Sequence, residues 1–164
     1  VIGVVFRGGY WLDGVMRTRV RVDGMDATEK LAAMITGSPH YDQLRVIVLN
    51  GVTLAGFNVV DIHELYERVK LPVIAVTRDK PNFDDIKKAL KNLPESEKRW
   101  RAIQRAGRMF KVRTRDGEEP VHVHAVGLSE EDAKRILRST STRSNIPEAL
   151  RAAHLIASGL GGQH

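Results

Sequence analysis

Three carboxylates fall within seven residues at Asp23, Asp26 and Glu29. Hard oxygen donors gathered at one end of a sheet can hold a divalent cation. Such a cation activates water and offsets charge on a leaving oxyanion. Glu29 is the leading candidate ligand, with Asp23 in reserve just after a strand-like run. Asp26 fits a helix cap, and a Glu three residues later also completes a capping box. Both readings of Glu29 stay open at this level.

Asn50-Gly51 closes the apolar run Val46-Ile47-Val48-Leu49. Open α/β sheets place their sites at such C-terminal strand ends. The Asn50 carbonyl oxygen can coordinate a hard cation, or the side chain can simply close a loop on backbone. Asp61, near a helix start, is consistent with stabilising the helix dipole. His122 and His124 are two apart on a strand, so both rings face one side. That spacing can chelate a transition metal, but no third ligand is evident and a strand face explains both. His154 falls on an apolar stripe, which predicts a core histidine.

Lys and Arg total 26 against 20 acidic residues, for a net charge of +6. The excess is local. Lys98 to Arg115 holds eight basic residues and no acidic one. Such a block favours polyanions through counterion release, or else lines a solvated helix and strand face. Arg101, Arg105, Arg108 and Lys111 are the candidate nucleic-acid contacts. Phe57, in a loop, could stack on a displaced base or fold back onto the core. Tyr10-Trp11 lies in a loop as well. The chain has no cysteine, which excludes disulfides, thiolate metal sites and a cysteine nucleophile. No apolar run reaches the roughly 20 residues of a membrane helix. No charged leader precedes the first strand-like run, so a cytoplasmic, non-membrane protein is expected.

These residues need a scaffold. The pattern predicts a strand over 1–6, a turn over 7–14 and an alternating strand over 15–22, paired as an antiparallel hairpin. A helix opens at Asp26 and ends at Gly37. Strands 45–50 and 72–77 are expected to be parallel neighbours, joined by a helix over 58–69 capped by Asn58. Helices over 84–92 and 94–105 lead to a second hairpin, 109–115 with 121–126. Ser129 caps the next helix, and Pro147 opens the last one. A single α/β domain over 1–164 follows, a mixed sheet flanked by helices. The order matches a ribonuclease-H-like fold whose first strand would precede Val1.

The segments 20–29 (VRVDGMDATE), 49–61 (LNGVTLAGFNVVD), 72–78 (PVIAVTR) and 146–157 (IPEALRAAHLIA) resemble the archaeal endonuclease dU family. That family is in turn similar to endonuclease V. The resemblance implies a Mg²⁺- or Mn²⁺-dependent endonuclease acting on DNA at deaminated bases, deoxyuridine first. It implies metal ligands at Glu29 and Asn50, a catalytic set of Glu29, Asn50 and Arg78, and a further acidic residue upstream. Two positions depart from the endonuclease V pattern. Asn50 stands where an Asp is expected, and the His expected after the second hairpin has no counterpart among Ala125 to Ser129. A nucleic-acid-binding protein that has lost cleavage is the alternative.

Overall fold

The computed structural model describes residues 1–161. It opens with a hairpin of β1 (Ile2–Arg7) and β2 (Trp11–Arg17), paired antiparallel from Ile2↔Arg17 to Arg7↔Trp11. The alternation of 15–22 predicted a longer second strand. The antiparallel bonding runs one pair further, Val1 and Thr18 exchanging bonds, and past it Arg21 is held elsewhere, its amide on Asp26 and its carbonyl on Asn58. The turn is Gly8–Tyr10, so Asp13 and Gly14 lie inside β2 rather than in a loop. Gly14 is needed there for close approach, since a Cβ would sit 2.6 Å from the His40 ring.

Helix α1 (Ala27–Thr36) leads through a short 3₁₀ turn to β3 (Ile47–Asn50). The small hairpin β4 (Thr53–Leu54) and β5 (Asn58–Val59) follows, then α2 (Ile62–Val69) and β6 (Val73–Thr77). Strands β3 and β6 are parallel neighbours joined by α2, as expected of a helical crossover. The cap of α2 is Asp61, whose Oδ1 accepts from the His63 and Glu64 amides. Asn58, expected in that role, is fully buried in β5.

Helices α3 (Phe83–Leu90) and α4 (Ser96–Arg105) precede the hairpin β7 (Phe110–Val112) and β8 (Val121–Val126). Strand β8 pairs antiparallel with both β6 and β7, giving a mixed four-stranded sheet in the order β3-β6-β8-β7. Ser129 caps α5 (Glu130–Thr140) through its hydroxyl, as predicted. The final helix is α6 (Glu148–Gly161), held at its start by the buried Glu148 carboxylate on Arg151.

The sheet has a core on each face. Leu49, Val73, Ala75 and Val126 pack with α1 and α2 on one side. Ile74, Val76, Val112, Val121 and Val123 pack with α5 and the start of α6 on the other. Helices α3 and α4 close a smaller cluster over Val59. The chain is therefore a mixed α/β fold with a mixed sheet flanked by helices. His154 is exposed on α6 and is not the core histidine its stripe predicted. The turns of α6 beyond its first carry a thinner buried face than the pattern implied, and Leu155 and Leu160 are exposed.

Candidate functional site

The C-terminal ends of β3 and β6 meet the N-terminal end of β8, because Asn50 pairs with Val76 and Thr77 with His122. This sheet edge collects Asn50, Thr77, Arg78 and His122. Asn50 and Arg78 are exposed. The His122 Nδ1 lies 3.4 Å from the Arg78 carbonyl. The Thr77 hydroxyl is buried and has no hydrogen-bond partner. Its methyl would touch a Cβ at Gly51, which adopts φ +74°. An orphaned buried hydroxyl at a strand end calls for an explanation beyond packing. Thr77 did not stand out in the sequence. Its signal was a lone hydroxyl closing an otherwise apolar strand.

Glu29 approaches the same edge through two hydrogen bonds. The Val60 amide donates to the Val52 carbonyl at 2.8 Å, two residues past Asn50. The Asp61 amide then donates to the Thr28 hydroxyl at 3.0 Å, one residue before Glu29. Glu29 is exposed and makes no hydrogen bond or ion pair among the described residues. The expected capping box does not form. Asp26 makes no cap bond, because its Oδ1 accepts from the Asn58 amide at 2.7 Å and the Arg21 backbone at 3.2 Å. The Asn58 bond holds the Asp26 carboxyl below its usual range.

The pleat separates Glu29 from Asn50. Leu49 faces α1 and α2, whereas Val48 belongs to the opposite core. Asn50 alternates with Leu49 and so leaves the strand on the α5–α6 face. A ligand touching both Glu29 and Asn50 has to sit over the edge itself. Among the described residues, no three His, Asp or Glu side chains gather to hold a metal. The Glu29 carboxylate and the Asn50 amide oxygen would leave the other positions of a Mg²⁺ or Mn²⁺ ion to water and substrate phosphate.

Asp23 is bound into a loop clamp. Its Oδ1 accepts from the Phe57 amide at 2.8 Å, and its own amide donates to the Ala55 carbonyl. Asp23 and Ala55 both adopt left-handed backbone, at φ 52° and 43°. The clamp is locked by Arg99, which is only 1% exposed. Its guanidinium donates to the carbonyls of Asp23, Gly24, Phe57 and Pro94. Phe57 packs into the α3–α4 cluster instead of standing out as a stacking surface.

The basic block divides on folding. Arg99 is buried. Arg105 pairs with Asp61 at 3.1 Å, and Arg108 with Glu130 at 3.6 Å. Arg101 and Lys111 are exposed without an acidic partner among the described residues. His122 is half-buried. His124 lies behind it, buried, with its Nδ1 unpartnered. Desolvation pushes His124 below the usual imidazole range, against the backbone groups of Ala106, Gly107 and Arg108.

A family model described as Endonuclease dU matches residues 1–161. The chain belongs to the endonuclease dU family. A UPF0215 protein of Methanothermobacter thermautotrophicus is 55% identical over 161 residues, covering 98% of this chain and 78% of that one. A second, from Methanosarcina barkeri, is 50% identical and is covered to 81%. The fold of this endonuclease dU family chain also matches a crystal structure of a protein of unknown function from Archaeoglobus fulgidus. That match has a TM-score of 0.89 at 35% identity, and covers 97% of this chain and 88% of the other. No helix among the described residues is long and apolar enough to cross a membrane.

Proposed function

We propose that this chain is an endonuclease that cuts DNA beside deaminated bases, deoxyuridine first, and that Mg²⁺ or Mn²⁺ is required. The observation that carries the reading is the Endonuclease dU match along residues 1–161. The mixed sheet with a helical crossover supports a ribonuclease-H-like description of the scaffold.

The geometry supports the sheet edge as the place of chemistry. Glu29 and Asn50 offer oxygen atoms from the two faces, both exposed and with no intramolecular partner among the described residues. Arg78 brings a positive charge suited to a phosphate. Because the described donors do not form a cage, the cation's remaining ligands would be water and substrate phosphate.

The test is incubation of the protein with duplex and single-stranded oligonucleotides carrying one deoxyuridine, against unmodified controls. Each is run with Mg²⁺, Mn²⁺ or chelator. Cation-dependent nicking confined to the deoxyuridine strand is expected. DNA binding without nicking under every condition rejects the enzyme. It would favour the second reading, a nucleic-acid-binding protein, which Asn50 supports because a neutral amide is a weaker ligand than a carboxylate.

A further inference from the structure

The tip of the first hairpin carries two exposed aromatic residues, Tyr10 at 84% and Trp11 at 67%. It does not project freely. The Thr142 hydroxyl donates to the Gly9 carbonyl at 2.8 Å. A Cβ at Gly9 would collide with Thr142 at 2.5 Å, so only glycine lets the tip seat on that loop. Arg115 donates to the carbonyl of the same Thr142 at 2.7 Å. Ser141, beside it, is buried with its hydroxyl unpartnered. One loop therefore ties the aromatic tip to a pocket of about 470 Å³ lined by Arg113, Thr114, Arg115, Asp116 and Arg138.

The pocket has a defined place in the sheet. Val112 pairs with Val121, so the pocket follows the end of β7 that lies beside the start of β8. The start of β8 lies beside the end of β6. The pocket thus shares the sheet end occupied by Asn50 and Arg78. Its three guanidinium groups outnumber Asp116, and Arg115 is also paired with Glu118. Arg138 holds the Arg113 carbonyl through Nε and has no acidic partner among the described residues.

We propose that Tyr10, Trp11 and the Arg113–Arg115–Arg138 pocket form a contact surface for single-stranded nucleic acid. It rests on the endonuclease reading only in extending that enzyme's path away from Asn50. The chemistry is complementary. Exposed rings stack on unpaired bases of any sequence, and the guanidinium groups take the phosphates between them. A duplex hides its base faces and gains only the charge contacts.

The test is binding of an unmodified oligothymidylate, read by tryptophan emission and by salt dependence, with no cleavage required. Quenching is expected in the natural protein and disappears in Trp11→Phe, which leaves Trp100 as reporter. The double variant Tyr10→Ala/Trp11→Ala should weaken binding at least about fivefold. Arg138→Gln should lower the salt slope by about 0.7 for each phosphate that it no longer neutralises. The control Lys91→Gln should leave affinity and quenching unchanged. Unchanged affinity in both the aromatic and the Arg138 variants overturns the surface. So does an equal loss of blunt-duplex and single-strand binding in the aromatic variant, since a duplex offers no base face to stack on. The deoxyuridine cleavage assay is scored separately. Nicking with unaffected oligothymidylate binding in these variants removes the surface and leaves the enzyme. Impaired binding in a protein that never nicks removes the enzyme and leaves the surface.

Discussion

The Arg99 guanidinium lies 2.6 Å from the Asp23 carbonyl oxygen and makes no ion pair with the Asp23 carboxylate. Its charge is satisfied by backbone dipoles alone, from two loops and the turn before α4. The Asp23 carboxylate is left to hold Phe57 instead. One cation therefore fixes the conformation of two loops that lie 34 residues apart in sequence.

Arg99→Met keeps volume and removes the donors to these carbonyls. Each buried acceptor left unpaired costs about 1–3 kcal/mol. A total loss of about 2–5 kcal/mol is expected once water reaches part of the clamp. Arg99→Lys should recover little, because a point charge cannot serve this fork of acceptors. Denaturant unfolding measures the loss. The salt slope of DNA binding should stay unchanged in Arg99→Lys, since the residue never faces solvent.

Arg99 also marks how far the fold is legible in the residues alone. The parallel pairing of β3 and β6 was legible because apolar runs and a periodic crossover helix are local patterns. The Ser129 cap was legible for the same reason. Arg99 was read as surface charge because nothing local distinguishes it from Arg101. Its partners lie in loops 42 and 75 residues away. Asp61 caps the helix that Asn58 was expected to cap for a similar reason. Either side chain could cap a helix, and the choice was made by Arg21, Asp26 and Ala27, which claim Asn58 from a distant segment. At the candidate site, the edge position of Asn50 was legible. The pleat that turns it away from α1 became visible only with the register.

The division of the basic block predicts unequal effects on DNA affinity. Arg101 and Lys111 carry no intramolecular partner among the described residues, whereas Arg105 and Arg108 are paired with Asp61 and Glu130. If Arg101 and Lys111 lie on the nucleic-acid path, each change to Ala should reduce the salt slope by about 0.9 on duplex DNA. Arg105→Ala should change it less, because Asp61 already offsets the arginine charge. Equal slopes for all four variants would place the path elsewhere on the surface. Binding titrations over a range of ionic strength measure this.

His124 predicts a stability change with pH. Burial holds its imidazole below the usual range, so the folded chain keeps it neutral where the unfolded chain already binds a proton. Stability rises with pH wherever the unfolded state holds more protons. The His124 contribution is therefore complete above the ordinary imidazole value of about 6.5 and declines as pH falls below it. His124→Leu should flatten that decline. It should also remove the unpartnered Nδ1, so the variant gains relative to the natural protein on the acid side. Urea midpoints from about pH 7.5 to about pH 5 measure both.

Glu29 offers the sharpest division between structure and chemistry. Glu29→Gln removes only the charge, and the carboxylate it replaces forms no capping box and has no partner among the described residues. The substitution should therefore change stability by no more than about 0.5 kcal/mol. If Glu29 supplies an oxygen to the cation of the proposed endonuclease, the same variant should lose cation-dependent nicking of deoxyuridine DNA while unfolding at the same denaturant concentration. Retained nicking would move the chemistry away from α1. Asn50→Asp tests the other face of the edge. The position is exposed at the end of β3, so a carboxylate there needs no buried partner. It adds a charged oxygen donor, and hard cations bind such donors more tightly than an amide. Tighter Mg²⁺ binding by titration calorimetry is expected in Asn50→Asp. The gain should vanish in the double variant with Glu29→Gln if one cation over the sheet edge touches both residues. A gain of the same size in both backgrounds would mean that Asn50 and Glu29 act at separate places.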